Sequence, residues 1–70
     1  MMTITIDFKS GRELTLKNID SCYLGEDNTW RFFCDLKDRE IIGDAHMSGI
    51  EIDEDTVFVL HDTIESISFK

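Results

Sequence analysis

The sequence predicts an all-β fold, a small antiparallel barrel or strongly curled sheet of five to six strands formed by residues 1–70 as a single domain. Three observations carry this. Nine Ile, two Val and six Thr stand against a single Ala, a balance that suits pleated surfaces better than helices. No long stretch repeats apolar residues at helical spacing. The four glycines, Gly11, Gly25, Gly43 and Gly49, fall between candidate strands, where turns and bulges need them.

The first strand is read from Met2, Ile4, Ile6 and Phe8, which alternate with Thr3, Thr5, Asp7 and Lys9 and so present one apolar face. Leu14 and Leu16 continue the pattern. A two-residue Ser-Gly turn would place the two apolar sets on opposite faces, because one residue of slip flips every side chain. A three-residue Lys9-Ser10-Gly11 loop with Gly11 left-handed avoids this. It pairs Ile6 with Leu14 and Ile4 with Leu16, and sets Asp7 opposite Glu13.

Beyond Leu16 the parity breaks, since Ile19 is odd while Cys22 and Leu24 are even; a bulge or bend is expected at Asn18 to Asp20. Gly25-Glu26-Asp27-Asn28 is the next loop. Trp30, Phe32, Cys34 and Leu36 then share one face of a third strand, with Phe33 on the other. A short strand Glu40 to Ile42 ends at Gly43-Asp44, and an edge strand is expected over Met47 to Ile52. Thr56 to Leu60, apolar on both faces, reads as a central or corner strand. His61-Asp62-Thr63-Ile64 is a tight turn, and Ile67 and Phe69 mark the closing strand. Val57 to Leu60, Ile64, Ile67 and Phe69 are the expected closing core.

Seventy residues bury only about 60% of the unfolded surface, yet five Phe, one Trp and one Tyr are enough to fill one small core. No apolar run approaches the roughly 20 residues that span a bilayer, and MMTITIDFK alternates rather than forming a signal peptide. A cytoplasmic protein without a membrane role is expected, with Cys22 and Cys34 as reduced thiols. The net charge of −8 is unevenly spread: residues 1–39 carry seven acids and six bases, residues 40–70 eight acids and only Lys70. Such a field repels nucleic acid and acidic membranes and attracts basic proteins.

ITIDFKSGREL (Ile4 to Leu14) and TVFVLHDTIESI (Thr56 to Ile67) resemble the two motifs of SH3-like barrels of the Sm-like kind. The resemblance implies that architecture for most of the chain. The chain departs from it in lacking the opening helix, and in placing Leu60, His61 and Asp62 where that family has the Arg-Gly or Lys-His pair that grips RNA. The acidic character is similar to that of small phage-encoded inhibitor proteins.

Among candidate sites, the acidic run is the most distinctive. If Ile50 to Asp55 is extended, Ile50 and Ile52 face inward and Glu51, Asp53 and Asp55 form an outer ladder spaced by about 6.8 Å, twice the strand rise. That pitch is comparable to a nucleic-acid backbone; the plainer role is solubility and protection of an edge. A calcium loop fails at Val57, where a ligand is required. Cys22, Cys34, His46 and His61 lack the short paired spacings of zinc sites. His61-Asp62 with Cys34 makes a poor catalytic set, because adjacent residues on a strand point to opposite faces, and no glycine-rich phosphate loop is present. Tyr23, Trp30, Arg31 and Phe33 raise the possibility of a base-stacking surface, although Trp30 is in register with the core.

These readings converge on a protein-binding module without enzymatic activity or cofactor. The expected function is that of a small acidic inhibitor or adaptor, a nucleic-acid mimic such as an anti-CRISPR or anti-restriction protein. It would dock on a basic nucleic-acid-binding protein through Glu51, Asp53, Asp55, Asp62 and Glu65, with Phe33 as apolar anchor. No direct contact with nucleic acid is expected, and the protein would be a monomer or small homo-oligomer. The alternatives are an Sm-like or SH3-like nucleic-acid-binding module and a structural component of a larger assembly.

Overall fold

The computed structural model describes residues 1–70, and they form seven antiparallel strands in one open sheet. The strands are β1 (Met2–Phe8), β2 (Glu13–Leu24), β3 (Thr29–Cys34), β4 (Glu40–Gly43), β5 (Ile50–Asp53), β6 (Thr56–Leu60) and β7 (Ile64–Phe69). A single 3-10 turn, His61–Thr63, joins β6 to β7. The strand order is β5-β6-β3-β2-β1-β7, and β4 lies off this path against β2. The all-β, curled-sheet expectation holds. The strand count is seven rather than five or six: the short segments expected at Glu40 to Ile42 and Met47 to Ile52 both pair as strands, β4 and β5, beside the other five, and the sheet curls without closing.

The first hairpin has the expected register. Ile4 faces Leu16, Ile6 faces Leu14 and Asp7 faces Glu13. Gly11 has φ +89° and its N–H donates to the Phe8 carbonyl, while Phe8 N–H donates to Arg12, which closes a three-residue loop with glycine in the left-handed position.

The long β2 is where the sheet turns. Between Ile4 and Met2 its register against β1 slips by one residue, at Asn18, whose φ of +62° marks the bulge; its Nδ2 donates to the Asp38 carbonyl. A second slip against β3 lies at Asp20. Extra residues on one strand raise local twist, so β2 serves β1 and β4 with its first half and β3 with its second.

Curling supplies the core that a single sheet otherwise lacks. Ile4, Ile6, Leu14, Leu16, Ile19, Phe32, Val57 and Val59 are fully buried, with Phe8, Cys34 and Ile64 nearly so. No helix or second sheet covers them, so the sheet covers its own inner face. The inner face runs across strands in the rows Cys22–Phe32–Val57–Ile52 and Leu24–Trp30–Val59–Ile50.

Several local expectations are corrected. Leu36 lies outside β3 and is exposed: Asp35 Oδ1 accepts from Lys37 N–H and the Asp35 carbonyl from Asp38 and Arg39, a side-chain-supported turn that ends the strand. The edge strand begins at Ile50 rather than Met47, because residues 45–49 form turns ending in Gly49 at φ +91°. Of the expected closing core, Val57, Val59 and Ile64 are buried and Ile67 half-buried. Phe58 instead points to the outer face, and Leu60 and Phe69 are only partly covered, 37% and 46% exposed.

Candidate protein-binding face

The outer face of β2, β3, β6 and β5 is built by the strands' own alternation. Two rows cross it, Tyr23–Arg31–Phe58–Glu51 and Ser21–Phe33–Thr56–Asp53. Phe33 is neither covered by a turn nor fully exposed: it stacks on Tyr23, ring centroids 5.8 Å apart and planes 21° from parallel. Arg31 lies between Tyr23 and Phe58, its guanidinium 5.7 and 5.4 Å from the two ring centroids, within cation–π reach. Its charge is already matched, because Nη1 and Nη2 each donate to Asp27 at 2.9 Å. This fork holds the Asp27 carboxyl below the usual carboxylate range and raises Arg31.

The acidic ladder is shorter than expected. Glu51 and Asp53 share the outer face of β5, but Asp55 leaves it. Glu54 adopts φ +46° in the two-residue Glu54-Asp55 turn that returns Asp53 to Thr56, so the chain is no longer extended there. Asp55 Oδ1 accepts from Thr56 Oγ1, and its carbonyl accepts from Cys34 N–H. Ile52 points to the inner face, as expected, yet stays 39% exposed because β5 is the last strand of the sheet.

The remaining expected contact residues are not part of this face. Asp62 sits on the 3-10 turn, its Oδ1 accepting from Asn28 Nδ2 at 2.8 Å. Glu65 occupies a bulge where β7 slips against β1, at the opposite end of the strand order from β5. Asp62 and Glu65 therefore do not join Glu51, Asp53 and Phe33 in the rows of the outer face, nor Asp55 on the adjoining turn. Phe58 is the residue that sequence reasoning missed, because an apolar residue inside a continuous apolar run carries no signal of which way it points.

The thiols and histidines are dispersed. His61 Nδ1 accepts from Trp30 Nε1 at 3.1 Å, so His61 and Asp62 have different partners and do not form a base-and-orienter pair. Cys22 is half-buried and Cys34 buried, and burial raises both thiols above their ordinary range. No cluster of three or more His, Cys, Asp or Glu is placed to hold a metal ion, and no helix is long and apolar enough to cross a membrane. No protein-family model, curated protein sequence or solved structure matches the chain.

Proposed function

We propose that the chain is a non-enzymatic protein-binding module, a small acidic inhibitor or adaptor that docks on a basic nucleic-acid-binding protein in the cytoplasm. The observation that carries this reading is the Asp27–Arg31 fork on the aromatic outer face. The single cation in the two rows is matched from within, while Glu51 and Asp53, with Asp55 on the adjoining turn, have no ion-pair partner. A phosphate backbone approaching Tyr23, Phe33 and Phe58 meets in their two rows only a cation that is already matched; the nearby Arg39 donates to the Glu54 carbonyl at 2.7 Å, at the turn end of the face. A basic protein meets carboxylates beside aromatic rings, both of which attract Lys and Arg. Glu51 and Asp53, about 6.8 Å apart along the strand, have a pitch comparable to that of a nucleic-acid backbone. Phe33 and Phe58 supply apolar area for an anchor.

Reversal of Glu51, Asp53 and Asp55 to Lys tests the reading. The wild-type chain is expected to capture basic nucleic-acid-binding proteins from lysate and to release them when DNA is added; the reversed chain is expected to capture none while keeping its circular dichroism. Unchanged capture by the reversed chain overturns the proposal. So does retardation of labelled RNA or DNA by the wild-type chain at low salt, which is the behaviour of a nucleic-acid-binding module.

A further inference from the structure

The free edge of β5 offers backbone groups in a pattern that selects its occupant. Bonded and non-bonded pairs alternate along an antiparallel ladder. Leu60 N–H donates to the Gly49 carbonyl at 2.9 Å, so by the register of β5 on β6 the bonded pairs are Gly49/Leu60, Glu51/Phe58 and Asp53/Thr56. The intervening residues turn their backbone groups outward. Ile50 N–H is used by the Met47 carbonyl at 3.3 Å; the Ile50 carbonyl and both groups of Ile52 lie along the edge, where no further strand pairs. Ile52 ends the inner row Cys22–Phe32–Val57–Ile52 with 39% of its surface exposed. The row thus has room for one more apolar side chain.

We infer that β5 accepts an extended basic segment of the partner as an added strand, one that places an apolar residue beside Ile52 and Lys or Arg on either side of it. The inference rests on the protein-binding reading above and names how that partner is held. A strand that bonds to Ile52 N–H and C=O sets its opposing residue on the inner face, against Ile52. Its two neighbours fall on the outer face, across from Glu51 and Asp53, where opposite charges stabilise and like charges repel. A second copy of this chain does not fit the same edge. Antiparallel pairing of two β5 strands about Ile52 sets Glu51 opposite Asp53 on both sides, four carboxylates with no cation between them. The carboxylates therefore keep the edge from self-pairing and leave it open to a basic strand.

The test uses the full chain and capped seven-residue peptides, read by fluorescence anisotropy at low salt. Alternating Lys-Val-Lys-Val-Lys-Val-Lys is expected to bind. Its binding should weaken about tenfold or more when the central Val nitrogen is methylated, when the same residues are reordered to break alternation, and when Ile52→Pro removes the outward N–H. That proline removes no bond to β6, and circular dichroism reports that the strand persists. E51K/D53K is expected to exchange preference to the alternating Glu-Val peptide. Equal binding of the methylated or reordered peptide overturns strand addition while leaving the acidic-face reading standing, because charge alone then suffices. Indifference to E51K/D53K as well overturns both. Absence of peptide binding, or dimerisation of the chain alone by light scattering, also overturns the inference.

Discussion

The rings of Trp30 and Phe69 lie 6.1 Å apart, although β3 and β7 are separated in the sheet by β2 and β1. In a flat sheet three strand spacings would hold them about 14 Å apart. This pair therefore measures the curl directly, and each ring covers inner-face surface that would otherwise meet water.

Phe69→Ala is expected to cost about 1 kcal/mol, the scale of an aromatic pair beyond simple burial, because Phe69 is 46% exposed. Phe32→Ala removes a fully buried ring and should cost about 3–5 kcal/mol, a large part of the stability of so small a domain. Urea titration monitored by Trp30 fluorescence checks both. An effect of Phe69→Ala equal to that of Phe32→Ala would show that the pair is a main element of the core rather than its rim.

Gly43 and Gly11 both have positive φ, +112° and +89°, but their surroundings differ. A Cβ at Gly43 would press on the Glu13 carbonyl oxygen and crowd Leu14 Cα at 3.3 Å; a Cβ at Gly11 meets nothing within 4 Å. Gly43→Ala is expected to cost at least about 1–3 kcal/mol from backbone strain and to loosen β4 from β2. Gly11→Asn should cost at most about 1 kcal/mol, since Asn tolerates the left-handed region. Thermal melts of the two variants give the order directly.

The Asp27–Arg31 fork makes a small acid-labile contribution to stability. Its hydrogen bonds lower the folded-state Asp27 value below that of the unfolded chain, so the contribution is present in full above the unfolded value, near 3.9, and is lost as pH falls through the folded one. Solvent exposure keeps it small. The melting temperature of wild type should exceed that of Asp27→Asn slightly at pH 7, and the gap should close on acidification below about pH 4. A gap that widens in acid would contradict the assignment.

Burial raises both thiols, and Cys34 is only 4% exposed with its Sγ 3.6 Å from the Asp55 carbonyl. With a thiol-specific reagent at pH 8, half-buried Cys22 is expected to react first and Cys34 at least about tenfold more slowly, because the accessible thiolate is the reactive form. Unfolding in urea should make the two rates equal. Faster labelling of Cys34 in the folded chain would mean that the Asp55 turn opens.

What the sequence determined is what depends on neighbours along the chain. The alternation of Ile4, Ile6 and Phe8 set the inner face of β1, and the parity of Leu14 and Leu16 allowed only a three-residue loop through Gly11. The parity change at Ile19 announced a bulge or bend within Asn18 to Asp20, where the structure has register slips at Asn18 and Asp20. The tertiary structure decided what depends on distant partners. Nothing local distinguishes an extended Asp53-Glu54-Asp55 from a reversal at Glu54, and it is the return of β6 against β5 that takes Asp55 off the ladder. Phe58 looked like core within a continuous apolar run, until pairing with Arg31 and Glu51 set it on the outer face. The physical reason is that a strand's period of two fixes which residues share a face, whereas burial depends on what lies against that face. In a single curled sheet that is settled only when β3 and β7 meet at Trp30 and Phe69.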